Sequence, residues 1–61
     1  MNTTRVTGRI LRETDAALLL ETPDGEEVWL PFSQIDRITR GKDFDSLEVS
    51  TWIAEKKGLE K

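Results

Sequence analysis

The sequence predicts a mainly β domain: a small five-stranded twisted barrel with a short C-terminal helix. Three observations carry this expectation. Apolar and polar residues alternate with a period of two over several short runs. Pro23-Asp24-Gly25-Glu26 stands between two such runs as a hairpin turn. No helical stretch separates the strands, so a parallel βαβ crossover has nothing to build it.

The first strand runs from Thr4 to Thr14, with Val6, Gly8, Ile10 and Arg12 on one face and Arg5, Thr7, Arg9 and Leu11 on the other. Gly8 marks a bend or bulge, which a small barrel needs where a strand turns a corner. After the polar break Glu13-Thr14-Asp15, residues Ala16 to Thr22 form strand two. Leu18-Leu19-Leu20 is too short, and too closely followed by Pro23, to be a helix. In the turn, Pro23 presets φ for the first central position and Asp24-Gly25 tolerates positive φ. Strand three, Glu27-Val28-Trp29-Leu30, is ended by Pro31, which has no ladder donor.

Ser33-Gln34-Ile35 reads as one tight turn capped by Ser33. A fourth strand follows from Asp36 to Arg40 around Ile38, and Arg40-Gly41-Lys42-Asp43 turns the chain again. Ser46 to Ser50 alternates with Leu47 and Val49 inward. The helix spans about Thr51 to Lys57. Ser50 or Thr51 caps it, Gly58 stands at the left-handed C-terminal position, and Lys56 and Lys57 complement the helix dipole. A helix this short has no stability of its own, so it must dock, and Trp52 and Ile53 are expected in the core. Phe44 is expected there too. Trp29 has two expected places: packed on the helix through Trp52, or exposed in a surface patch with Phe32.

Composition narrows the function. A chain of 61 residues makes one domain, residues 1–61, and buries only about 60% of the surface its unfolded form exposes. With no cysteine and no histidine, neither a disulfide nor a Cys/His zinc site can staple it, which leaves self-association as the remaining support. The net charge of −3 and the 36% hydrophobic content fit a globular chain rather than a disordered one. No run approaches the ~20 apolar residues of a membrane span. Met1-Asn2-Thr3-Thr4 leads into a strand pattern without an apolar leader core, so a cytoplasmic location is expected.

Charge is segregated. Arg5, Arg9 and Arg12 lie in an acid-free segment, residues 13–36 carry seven acids and no base, and Arg37, Arg40 and Lys42 then fall within six residues. A fold that gathers the basic segments makes Arg5, Arg9, Arg37, Arg40 and Lys42 candidates for contacting single-stranded nucleic acid.

Catalysis has little to work with. Serine or cysteine nucleophiles need a base, most often histidine, and neither histidine nor a Ser-x-x-Lys pair is present. Arg40-Gly41-Lys42-Asp43 lacks the glycine loop and following hydroxyl of a phosphate cradle. Asp43, Asp45 and Glu48 could serve an acid/base pair or a magnesium site, but Asp43-x-Asp45 lacks the rest of a calcium loop and its spacing suits a solvated turn equally. No enzyme, metal or cofactor is expected.

Two resemblances add to this reading. Val6-x-Gly8-x-Ile10, the apolar second strand, the Pro-Asp-Gly turn, Val28-Trp29-Leu30-Pro31 and Ile35-x-x-Ile38 resemble SH3-like and Sm-like five-stranded barrels over residues 4–50. Glu27-Val28-Trp29-Leu30-Pro31-x-Ser33-Gln34-Ile35, with Trp52-Ile53-Ala54-Glu55-Lys56-Lys57-Gly58-Leu59, resembles a small non-catalytic module of phages, prophages and plasmids. That resemblance implies an accessory protein acting on nucleic-acid machinery, anti-CRISPR roles included. The chain departs from the module's pattern at Phe32, where a polar residue is expected, and at Ser50, where proline is. Trp29, Phe32 and Gln34 are the candidate protein-binding residues. The expected function is docking on a nucleic-acid-processing protein; the alternatives are direct single-stranded DNA or RNA binding and a structural homo-oligomer.

Overall fold

The computed structural model describes residues 2–59. In chain order its elements are β1 (Thr3–Glu13), β2 (Ala17–Glu21), β3 (Glu27–Pro31), a 3-10 turn η1 (Phe32–Gln34), β4 (Ile35–Thr39), β5 (Asp45–Ser50) and α1 (Thr51–Lys56). The strands form one antiparallel sheet in the order β3-β2-β1-β5-β4. The sheet is open, with β3 and β4 as its edges, and this corrects the closed barrel expected from the sequence. Closure needs a ladder between the two edges. Here Pro31 has no N–H to offer, and η1 turns the chain away before β4 begins.

β1 is shared by both halves of the sheet. Its first part pairs with β5 from Thr3↔Ser50 to Gly8↔Asp45. Its second part pairs with β2 from Arg9↔Glu21 onward. The handover falls between Gly8 and Arg9, where the chains come very close. A β-carbon on Gly8 would run into the Glu21 carbonyl oxygen and lie 3.1 Å from Leu20 Cδ1. Only glycine permits that approach. The bulge itself lies further along, between Ile10 and Arg12, with Leu11 as the extra residue.

The inward faces supply Val6, Leu18, Leu20, Leu30, Leu47 and Val49, and α1 adds Ile53 and Ala54. Ile10, Val28, Phe32, Ile35, Ile38 and Leu59 pack around the margin. Burying each large aliphatic side chain stabilises by roughly 1.5–3 kcal/mol. In the β2–β3 hairpin, Gly25 N–H donates to Thr22 O at 2.9 Å, and Gly25 has φ 90°.

The helix is set by its ends. Ser50 Oγ accepts from Ile53 N–H at 3.2 Å. At the other end Gly58 has φ 70°, its N–H donates to Glu55 O at 3.1 Å, and Leu59 N–H donates to Ala54 O at 2.8 Å. This is a Schellman motif, and it folds Leu59 back onto the core. Trp52 departs from expectation: it is 58% exposed, with Lys56 Nζ 5.0 Å from its ring centroid. A six-residue helix presents one narrow stripe inward, and Ile53 and Ala54 fill it. Phe44, also expected in the core, is 56% exposed in the β4–β5 connection. Ser33 does not cap η1, whose N-terminal position is Pro31 with no side-chain bond. Among the described residues, no helix is long and apolar enough to cross a membrane.

Candidate interaction face

The two halves of the sheet present different outward faces. On β1–β5–β4 the cross-strand rows are Thr7, Ser46 and Thr39, then Arg5, Glu48 and Arg37. That face is polar. On β1–β2–β3 one outward row is Arg9, Glu21 and Glu27, and the next holds Trp29 beside Leu19, with Arg12 paired to Leu19 on the far side. Leu19 points outward because its neighbours Leu18 and Leu20 point into the core. It is nonetheless only 9% exposed, while Trp29 is 44% and Leu11 42% exposed. The outward face of this half therefore carries an apolar strip of Leu11, Leu19 and Trp29, with Arg12 within it.

The strip runs to an open backbone edge. Thr22 N–H donates to Glu26 O, and Phe32 N–H donates to Ala16 O at 2.9 Å. These two bonds fix the phase of the β2–β3 ladder. Antiparallel alternation then turns Val28 and Leu30 toward β2, and Glu27, Trp29 and Pro31 toward the edge. Pro31 has no N–H, so the donors on that edge are those of Glu27 and Trp29.

The candidate protein-binding residues are placed unequally. Trp29 is exposed on the strip. Phe32 is partly buried and packs against the core. Gln34 Oε1 accepts from Ser50 Oγ at 2.6 Å, so it ties η1 to the helix cap.

The basic candidates are dispersed. Arg9 Nη2 donates to the Asp43 carbonyl at 2.7 Å, and Arg40 Nη2 pairs with Glu13 Oε2 at 2.8 Å. Both anchor the β4–β5 connection to β1. Asp45 is the centre of that anchor: its carboxylate accepts from Ile10 N–H at 3.0 Å and from Gly41 N–H at 3.1 Å. The Ile10 hydrogen bond holds the Asp45 carboxyl below the usual aspartate range; partial burial opposes this, while the Gly41 bond and the charges of Arg40 and Arg9 reinforce it. Arg5 and Arg37 stand apart from this cluster, on either side of Glu48, and Lys42 is exposed in the connection.

A cleft of about 400 Å³ opens where β1 changes partners, lined by Thr7, Arg9, Glu21, Pro23 and Phe44. Among the described residues its one guanidinium is that of Arg9, already bonded to the Asp43 carbonyl. Among the described residues, no group of three or more histidine, cysteine, aspartate or glutamate side chains is placed to hold a metal ion.

Leu11 and Leu19 are site residues that patterning did not single out. The signal for Leu19 was present, because the middle of three consecutive leucines in a strand must face away from its neighbours. Comparison with protein-family models, with curated proteins and with solved structures finds no match for this chain.

Proposed function

We propose that this chain is a non-enzymatic docking module of the accessory type carried by phages and plasmids, and that it binds and modulates a nucleic-acid-processing protein. The observation that carries this reading is the apolar strip of Trp29, Leu11 and Leu19 on an outward sheet face. Exposed aromatic and aliphatic side chains grouped beside polar surroundings are the mark of a protein interface. The kind of partner follows from the resemblance of Glu27–Ile35 and Trp52–Leu59 to the mobile-element module. The sharing of β1 between two half-sheets supports an opened relative of SH3-like and Sm-like barrels.

Direct nucleic-acid binding is the competing reading, favoured by Arg5 and Arg37 in one cross-strand row. Three features weigh against it. Glu48 lies between those two arginines, Arg9 and Arg40 are already engaged, and the acidic run from Glu13 to Asp36 repels phosphate. Fluorescence anisotropy with a labelled single-stranded oligonucleotide separates the two. We expect no specific binding at physiological salt. Sub-micromolar affinity that falls by an order of magnitude or more with added salt, and is lost in Arg5→Glu/Arg37→Glu, would reverse the assignment.

A further inference from the structure

Resting on that docking reading, we infer that the partner engages β3 by strand addition: an extended, basic segment of the partner protein pairs with the open edge as a sixth strand. The backbone supplies the first half of the argument. Among the described residues β3 pairs on one side only, and its free edge aims the N–H groups of Glu27 and Trp29 outward. Two donors alternating with carbonyls are what an added strand reads, and side chains beside them set which strand is accepted. Pro31 removes the next donor, which confines pairing to the Glu27–Trp29 part of the strand.

The side chains supply the second half. Trp29 lies on the outward face at the edge, so an apolar residue directly across from it extends the strip of Leu19 and Leu11. Two positions away stands Glu27, next to Glu26 and across from Glu21 in the β2–β3 pair. These acids belong to a stretch, residues 13–36, with seven acids and no base. An incoming strand with lysine or arginine opposite Glu27 meets complementary charge there. A second copy of β3 brings more acid and no base from this stretch, whichever direction it runs, so charge selects a basic partner over self-pairing.

The probe is a short capped peptide of alternating valine and threonine ending in two lysines, added to the full chain labelled for amide NMR. We expect the Glu27 and Trp29 amides to shift and to become protected from exchange. N-methylation of the peptide at positions facing β3 should abolish this, while methylation at the intervening positions should not. A peptide ending in two glutamates should bind at least tenfold more weakly at low salt. Unchanged Glu27 and Trp29 amides overturn strand addition. If the peptide then still binds, and Trp29→Ser weakens it, docking through the face survives without strand pairing; no Trp29-dependent binding at all removes both readings. Protection of those two amides in the free protein that grows with its concentration assigns the edge to a second copy and overturns the basic partner.

Discussion

Replacing Gly8 with alanine tests the crossover at the centre of the fold. In an unhindered strand position, alanine for glycine stabilises by about 0.4–1 kcal/mol through the unfolded chain. At Gly8 the added carbon meets the Glu21 carbonyl oxygen and approaches Leu20 Cδ1 at 3.1 Å. The first obstacle is backbone of the paired strand, which has little freedom to give way. Overpacking of this kind costs about 1–3 kcal/mol, and the upper end applies here. The net loss is therefore about 2 kcal/mol, against a core worth roughly 3–5 kcal/mol in a domain this small. That corresponds to a fall in Tm of about 8–16 °C. Urea and thermal unfolding followed by circular dichroism measure it. Gly25 provides the contrast, since it has φ 90° and nothing within 4 Å of a β-carbon. Its cost is conformational, so Gly25→Asn should be milder than Gly25→Ala, whereas Gly8→Asn should be no better than Gly8→Ala. A Gly8→Ala protein melting within a degree or two of the parent would refute the close-approach argument.

Other substitutions sort the helix and the anchor. Leu47→Ala, at a fully buried position, should cost about 2–5 kcal/mol, while Trp52→Ala should cost less than about 1 kcal/mol because Trp52 is 58% exposed; equal losses in urea titrations would contradict the packing described. Ser50→Ala removes both the bond from Ile53 N–H and the bond to Gln34, and should lower stability by about 1–2 kcal/mol, with loss of helical signal at the C-terminal end. The Asp45 carboxyl titrates below its ordinary value in the folded chain, so its contribution is present at neutral pH and is lost as pH falls below about 4, where the unfolded carboxyl takes up its proton first. Asp45→Asn should flatten that acid limb of the stability profile; an unchanged limb would place the titration elsewhere.

Much of the fold was legible because local chemistry and tertiary packing agree. The alternation in β1 and β5, the Pro23-Asp24-Gly25 turn, the Ser50 cap and Gly58 each lie where their residue types require. What was not legible depended on which neighbour a side chain meets. Trp52 looked like the helix's anchor by bulk, but the orientation of a six-residue helix is set by its caps and by Ile53 and Ala54 fitting the sheet. Phe44 sits in a connection whose path is fixed by Asp45 reaching Ile10, a contact between residues 35 apart in sequence. The bulge at Leu11 was invisible because it resets the pairing of β1 without a glycine to announce it. For the interaction face, Trp29 was legible as a residue and Leu19 as a parity, but their meeting with Leu11 needed the register. Arginine clustering in sequence misled in the same way, because Arg9 and Arg40 are drawn into the anchor while Arg5 and Arg37 stand on another face.

The most direct test of docking through the Trp29 face is a comparative capture from nuclease-treated lysate of a phage-carrying bacterium, quantified by mass spectrometry. Three baits are needed: the parent chain, Trp29→Ser, and Arg5→Glu/Arg37→Glu. Both sites are on outward faces, so all three baits should fold alike, which circular dichroism checks first. The expected result is a nucleic-acid-processing protein held by the parent and by the arginine variant, depleted at least tenfold with Trp29→Ser, and rebinding the parent when purified. Capture that survives Trp29→Ser but is lost with the arginine variant would contradict docking through this face.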